Sequence, residues 1–170
     1  MKILIQNRQR HKPLNNIKIT KAARKILTAL KYPTAELSIL FVGDKRMQHL
    51  NLFYRGKNKS TDVLSFSQTS GKSEVRSQKF KKDKKLTKEF FTSCFLLPTS
   101  HFLLGDVVIN VPRAEAQAKT YEWGFYDELY RLLIHGIMHL SGYDHEESGY
   151  RARIMRKKER ELFDAVKEMD

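Results

Sequence analysis

Apolar residues in the first 67 positions form short runs and helical stripes, and their spacing predicts alternating strands and helices. Three strands are predicted, over 2–6, 36–42 and 62–67. Helical spacing predicts one helix that Thr20 caps and that runs to about Leu30, and a second helix that Asp44 caps. This order of elements is typical of parallel strands joined by right-handed crossovers.

The second half of the chain continues with one strand and three helices. A nearly continuous apolar strand is predicted over Asp106–Asn110, followed by a helix that Pro112 opens at its first position. The next helix, over 126–141, has an apolar stripe, and a strongly charged helix follows over 146–169. The predicted fold is therefore α+β: a single domain over 1–170 with a four-stranded mixed, mostly parallel sheet packed by helices.

A basic segment interrupts this order between the third and fourth strands. From Gly71 to Glu89 the chain holds eight Lys and Arg against three Asp and Glu, with little apolar periodicity. We interpret residues from about 68 to 100 as an inserted basic loop. Such a loop is either a solvated excursion without function or an arm that contacts RNA.

The composition favours a cytoplasmic protein with a polyanionic partner. Hydrophobic residues make up 41% of the 170 positions, as in globular chains, and the formal net charge is +13. This charge favours nucleic acid first and an anionic membrane surface second. Cys94 is the single cysteine, which excludes an internal disulfide framework and indicates a reducing compartment. No signal peptide, membrane-spanning stretch or nucleotide cofactor is predicted.

A group of histidines forms the strongest chemical signal in the chain. His135 and His139 are four residues apart, so a helix places both imidazoles on one face, one turn apart. Gly142 can adopt the left-handed conformation that ends a helix, and the chain can then bring His145 back toward the pair. A histidine pair at this spacing also occurs by chance, but three imidazoles suit one tetrahedral Zn²⁺ with an open position. We therefore predict one Zn²⁺ per chain, held by His135, His139 and His145.

The residue that follows the first histidine argues against a peptidase. The spacing H-x-x-x-H-x-x-G-x-x-H is that of the metzincin metalloproteases, which carry Glu directly after the first His as general base. This chain has Gly136 there, which cannot transfer a proton. The metal prediction stands, and a peptidase mechanism is disfavoured. His11, His49 and His101 lack ligand spacing and are predicted to be ordinary surface residues.

A basic loop ahead of the third predicted strand supplies further candidates. Arg55, Lys57 and Lys59 stand between a helix and a strand, where ligands of α/β sheets often bind. A guanidinium can hold a phosphate through two parallel hydrogen bonds. Alone, these residues are typical of a charged surface, but beside a metal site they become candidates for contact with an RNA backbone.

Several short motifs stand in a fixed order around these two groups of residues. They are Leu50-Asn51, Tyr54-Arg55, Lys57, Thr61-Asp62-Val63-Leu64-Ser65-Phe66, Leu104-Gly105-Asp106-Val107-Val108-Ile109 and the stretch from His135 to His145. Together they resemble the YbeY family of single-strand-specific metallo-endoribonucleases, over nearly the whole chain apart from the insert. The resemblance implies that the three histidines bind zinc and that Arg55 is needed for activity. It also implies a role in small-subunit rRNA maturation and ribosome quality control.

Two features depart from that family pattern. Ser60 stands where the family usually has Pro, which predicts a looser loop beside Arg55. The basic insert is longer than usual, which leaves substrate access and substrate choice open.

The sequence as a whole predicts a zinc-dependent endoribonuclease that hydrolyses phosphodiester bonds of single-stranded RNA, with rRNA and the small ribosomal subunit as partners. Zinc and Arg55 would neutralise charge that grows on the phosphoryl oxygens. Protons would be handled by zinc-activated water, a second water, or an acidic side chain such as Asp106 or Asp144. Attack by the RNA 2′-hydroxyl is a further route. The alternatives are a zinc-stabilised, non-catalytic RNA-binding or ribosome-assembly factor, and a metalloprotease.

Overall fold

A computed structural model describes the chain over residues 1–68, 102–143 and 149–168. Within these ranges the elements are β1 Lys2–Asn7, α1 Asn16–Ala29, β2 Ala35–Val42, α2 Asp44–Arg55, β3 Val63–Ser67, β4 Phe102–Asn110, α3 Val111–Thr120, α4 Phe125–Leu140 and α5 Gly149–Lys167. From residue 69 onward the predicted insert lies outside the described residues, as do Cys94, His101, Asp144 and His145. The predictions made for them stay predictions.

The four strands form one mixed sheet in the order β1-β2-β4-β3. β1 pairs with β2 and β2 pairs with β4 in parallel, whereas β3 pairs with β4 in antiparallel orientation. The α+β fold with a four-stranded, mostly parallel sheet is therefore confirmed. The expectation that the third strand also runs parallel is wrong. The backbone N–H of Asn110 donates to the carbonyl of Asp62 over 2.8 Å, so β3 starts where β4 ends and must run back along it.

Helices cover both faces of this sheet. The main core joins α1, α4 and α5 to the strand face that carries Ile39 and Val107. A smaller cluster on the opposite face joins Leu64 and Val108 to Met47 of α2. Successive strand residues point to opposite faces, so Val107 and Val108 mark the two sides. The helix with the histidines and the helix that ends in Arg55 therefore lie on different faces.

Two of the predicted helix starts are wrong, because each helix begins before the residue that was predicted to cap it. α1 begins one turn earlier than predicted, since the Asn15 side chain accepts hydrogen bonds from the backbone N–H groups of Ile17 and Lys18. Thr20 consequently lies inside the helix. Gly43 is the N-cap of α2, and Asp44 stands in its first turn.

The third helix also starts differently from the prediction. Asn110 is the N-cap of α3, because its side-chain oxygen accepts from the N–H of Arg113, and Pro112 follows in the first turn. The side-chain amide of Asn110 meanwhile contacts the loop before β3. Asn110 thereby joins the end of β4, the start of α3 and that loop.

No helix in the described ranges is long and apolar enough to cross a membrane. The longest of them, α5, spans 19 residues and carries basic side chains along most of its exposed surface.

Candidate metal centre

Helix α4 presents a half-buried polar stripe on an otherwise buried helix. Leu133 and Ile137 pack into the core, while Arg131, His135 and His139 lie four residues apart on the half-exposed side. The spacing that the sequence predicts for the two histidines is thus realised on a helix held by apolar burial. Their direction is set by the packing of α4 and not by a loop.

The C-terminus of α4 ends in a hydrogen-bonded turn around Gly142. The N–H of Tyr143 donates to the carbonyl of Met138 and the N–H of Gly142 to the carbonyl of His139, both over 3.1 Å. Gly142 has a φ of 84°, the left-handed value that this helix end requires. The predicted helix end at Gly142 is therefore confirmed, whereas the predicted return of His145 lies outside the described residues.

The two imidazoles of α4 face each other through their Nε2 atoms. These atoms are 3.1 Å apart, and the ring centroids of His135 and His139 are 4.6 Å apart with an interplanar angle of 80°. Two nitrogen ligands of a tetrahedral Zn²⁺ would stand about 3.3 Å apart at ordinary Zn–N distances. The donor pair therefore fits one shared zinc ion without rearrangement of the helix.

Glu159 of α5 stands behind His135, a contact that sequence reasoning missed. The Nδ1 atom of His135 lies 2.7 Å from Oε1 of Glu159, and about a quarter of each side chain is exposed. Metal-binding histidines commonly donate their second ring N–H to a carboxylate, which fixes the tautomer and the ring orientation. No spacing signal marks Glu159, because the contact joins residues 24 positions apart on two helices.

Gly136 packs directly against the sheet. A Cβ at this position would stand 2.7 Å from Cγ1 of Val107 and 3.2 Å from Oγ of Ser65. The residue that follows the first histidine therefore points at two strands and has no room for a side chain. This packing explains why the general base of the metzincin pattern is missing from this chain.

Arg131 is a second polar residue that sequence reasoning missed. Its guanidinium Nε donates to Oε2 of Glu128 over 2.8 Å, and Glu128 is fully buried. The hydrogen bond with Glu128 raises the pKa of Arg131 despite the opposing effect of burial, and the charges of Glu128, Asp62 and Tyr121 raise it further. A guanidinium held by a buried carboxylate thus lies one helical turn before His135.

Arg55 ends α2 on the face of the sheet opposite to the histidines. It is exposed, and Gly56 follows it with a φ of 67°. The ring of Tyr54 packs on Phe66 of β3 with centroids 4.6 Å apart, whereas Ser65 of β3 faces Gly136. Arg55 and the histidine helix therefore flank the same edge strand from opposite sides. Predicted residues Lys57 and Lys59 lie exposed on the loop that follows.

The loop that carries these two lysines is held firmly, although Ser60 was expected to loosen it. The Ser60 hydroxyl donates to Oδ1 of Asp44 over 3.0 Å and accepts from Nδ2 of Asn110 over 2.8 Å. The Ser60 carbonyl accepts from Arg113 over 2.7 Å. Asn51 of α2 donates to the Lys59 carbonyl over 2.7 Å. Hydrogen bonds thus replace the stiffness that a proline would provide.

The remaining candidates are kept apart from the histidine pair. Asp106 accepts from the Gln68 side chain and lies beside Tyr54, whose pKa is raised by burial and by the Asp106 charge. His49 is exposed, and His11 lies 2.7 Å from Glu115, so both are surface residues as predicted.

The described residues contain no group of three His, Cys, Asp or Glu side chains that could hold a metal ion by themselves. A zinc ion held by His135 and His139 would need a further ligand. His145, the predicted third ligand, lies outside the residues that the structure describes.

Comparison with known proteins identifies relatives along almost the entire chain. The family model described as Endoribonuclease YbeY matches residues 4–167. A protein named Endoribonuclease YbeY from Geobacter metallireducens is 38% identical over 164 residues, which cover 96% of this chain and 94% of the relative. A protein of the same name from Leptospira interrogans is 39% identical over 131 residues, 77% of this chain and 86% of the relative.

The fold is also found in a solved structure. The solution structure of TM1509 from Thermotoga maritima superposes with a TM-score of 0.58 at 21% identity, covering 96% of this chain and 88% of that chain.

The contact of Gly136 with the sheet generates a stability prediction. Gly136→Ala should lower the free energy of unfolding by about 1–2 kcal/mol, because overpacking against Val107 outweighs the better helix propensity of alanine. Gly149→Ala, where a Cβ meets nothing within 4 Å, is the matched control and should leave stability within about 0.5 kcal/mol. Denaturant titrations measure both changes, and a Gly136→Ala protein as stable as wild type would contradict the close packing.

Proposed function

The chain belongs to the YbeY family, and on that premise we propose that it is a zinc-dependent endoribonuclease that hydrolyses phosphodiester bonds of single-stranded RNA. The observation that carries the proposal is the pair of facing Nε2 atoms on α4, 3.1 Å apart, with Glu159 behind one of them. A metal-binding pair on a rigid helix, in a chain of net charge +13, suits a polyanionic substrate.

His135, His139 and His145 would hold one Zn²⁺ per chain. With zinc bound, Glu159 would accept the Nδ1 proton of His135, and Nε2 of His135 would coordinate the metal. When bound, zinc supplies a Lewis acid for phosphoryl oxygens and activates water at neutral pH. Gly136 contributes no proton transfer, so the peptidase reading loses its general base.

Arg55, Lys57 and Lys59 would hold the RNA backbone on the other side of the edge strand. All three are exposed, and no hydrogen bond or ion pair within the described ranges engages the Arg55 guanidinium. A planar guanidinium fork suits two parallel bonds to one phosphate. The hydrogen bonds of Ser60 and Asn51 keep this loop ordered, so little conformational freedom is lost when RNA binds.

The biological setting follows from the family resemblance. We propose maturation of small-subunit rRNA and ribosome quality control in the cytoplasm, with rRNA as substrate and the small ribosomal subunit as partner. A zinc-stabilised RNA-binding factor without turnover is the alternative that the same residues would support.

The function is tested by turnover of labelled single-stranded RNA and labelled casein, each with and without a metal chelator. RNA should be cleaved, casein should stay intact, and the chelator should stop RNA cleavage, since the metal is needed for hydrolysis. RNA that binds but is never cleaved would favour the assembly-factor alternative, and cleavage of casein would favour a metalloprotease.

The predicted third ligand is tested by the zinc content of purified variants. His145→Ala should lose most of its zinc, as should His135→Ala and His139→Ala, because two remaining ligands hold the ion poorly. The exposed His49 provides the control, since His49→Ala should keep its zinc. Full zinc occupancy in His145→Ala, measured by elemental analysis, would exclude the three-histidine site.

Substitutions of Glu159 should weaken zinc binding to different degrees. Glu159→Ala should weaken zinc binding by roughly 10- to 100-fold, since the orientation of His135 is lost, and Glu159→Gln should weaken it less because an acceptor oxygen remains. Glu161→Ala is the matched control, as Glu161 lies two residues further along α5 and pairs with Lys158. Competition with a zinc chelator of known affinity gives all three values. Equal affinity for Glu159→Ala and Glu161→Ala would refute the supporting role.

Arg55 should contribute to turnover and not to stability. Arg55→Ala should slow cleavage by about 10²-fold or more, by analogy with loss of a preorganised charge-stabilising donor. Arg55→Lys should recover little, because a point charge cannot reproduce the two-bond fork. Arg24→Ala, at an exposed arginine of α1, is the control.

The Arg55 comparison is measured by single-turnover cleavage at saturating enzyme, beside zinc content and melting temperature. The zinc content and the melting temperature of Arg55→Ala should stay near those of the wild type, since Arg55 is exposed and is not a proposed ligand. Wild-type cleavage by a folded, zinc-loaded Arg55→Ala protein would remove Arg55 from the mechanism.

A further inference from the structure

Two large aromatic side chains stand exposed at one end of the polar stripe of α4. Tyr121 and Trp123 are 57% and 47% exposed, although rings of this size are usually much more buried. Their ring centroids are 6.1 Å apart, and Trp123 in turn lies 6.0 Å from the ring of Phe163 on α5. The three rings form one contiguous aromatic surface, with Phe163 packed against the core beneath it.

The backbone under this aromatic surface is held in a defined turn. After α3 the N–H of Trp123 donates to the carbonyl of Ala118 over 2.9 Å, and the N–H of Glu122 donates to the carbonyl of Lys119. Glu122 adopts a φ of 55°, a left-handed conformation that is strained for a residue with a side chain. The turn therefore fixes where Tyr121 and Trp123 begin, and it presents both rings with little backbone freedom.

The aromatic surface lies beside the candidate metal centre, further along the contact between α4 and α5. Phe163 follows Glu159 by one turn of α5, and Glu159 contacts His135. α5 runs antiparallel to α4, since Glu159 contacts His135 and Lys167 pairs with Asp127. Phe163 therefore lies about level with Arg131, which is one turn before His135 on α4. Arg131 therefore lies between the histidine pair and the aromatic surface.

The guanidinium of Arg131 and the neighbouring aromatic rings match the alternating phosphates and bases of single-stranded RNA. Arg131, whose side chain is 37% exposed, offers a guanidinium that its pairing with Glu128 holds in place. Exposed rings stack on unpaired bases without sequence preference, while a basic surface follows the phosphates. A protein partner would need a broader apolar surface than three rings, whereas one base and one phosphate fit the size of this group.

We propose that Tyr121 and Trp123 form a stacking site for an unpaired base of the RNA substrate, with Arg131 holding the adjacent phosphate, one to a few nucleotides from the bond that is cleaved. This proposal rests on the proposed endoribonuclease function and adds a base-binding subsite to it. The site recognises single-strandedness, because a base within a duplex has no free face to offer.

Trp123 is the single tryptophan of the chain, so its fluorescence reports on this site alone. A short oligoadenosine RNA with hydrolysis-resistant phosphorothioate linkages is titrated into the full-length, zinc-loaded protein. Its bases should quench the Trp123 emission in a saturable manner. Inorganic polyphosphate, which carries charge without bases, should compete for the protein but leave the emission nearly unchanged.

Anisotropy of the same RNA, carrying a fluorescent label, compares the variants. Trp123→Leu and Tyr121→Leu should each weaken RNA binding by about tenfold or more, while polyphosphate binding changes little. Trp123→Phe keeps an aromatic face and should bind nearly as wild type, which separates stacking from a structural effect on Phe163. Ile17→Ala removes an exposed apolar side chain from α1 and should bind as wild type.

The outcomes separate this proposal from the function on which it rests. If the wild type binds and cleaves RNA but Trp123→Leu binds it equally well, the stacking site is wrong and the endoribonuclease proposal stands. Equal quenching by RNA and polyphosphate would also overturn the stacking site. If the wild type neither binds nor cleaves RNA, both proposals fail.

Discussion

The close packing of α4 on the sheet is the contact on which the candidate site depends. Gly136 permits it, because Val107 and Ser65 occupy the space in which any side chain would stand. Rotation of the helix would expose buried residues such as Leu133 and Ile137, at about 1.5–3 kcal/mol for each one. The direction of the histidine stripe is therefore set by apolar burial, and the polar atoms of the site need not hold the helix in place.

Two carboxylates then orient the polar residues of that stripe. Glu128 is fully buried beside Arg131, and Glu159 stands behind His135. A buried carboxylate without a cation is strongly unfavourable, so Glu128 retains Arg131 in position and Arg131 in turn compensates Glu128. Arg131 and His135 are thus each oriented by a carboxylate on a neighbouring turn or helix.

The edge strand β3 lies between the two parts of the proposed active site, the histidine pair and Arg55. Ser65 faces the helix with the histidines, and the next residue, Phe66, faces Tyr54 beside Arg55. Ser60 and Asn110 tie the preceding loop to the sheet, so the strand and the basic residues before it form one ordered unit. An RNA strand that crosses this edge could meet the histidines on one side and Arg55 on the other.

The sequence by itself determined the features that depend on neighbours along the chain. Helix periodicity predicts α4, the four-residue spacing puts His135 and His139 on one face, and Gly142 marks the helix end; each of these follows from residues within one or two turns. Tertiary structure decided the antiparallel direction of β3, the contact of Glu159 with His135 and the aromatic surface of Trp123 on Phe163. Those features join residues 24 or more positions apart, and local propensity contains no information about which distant side chains will meet.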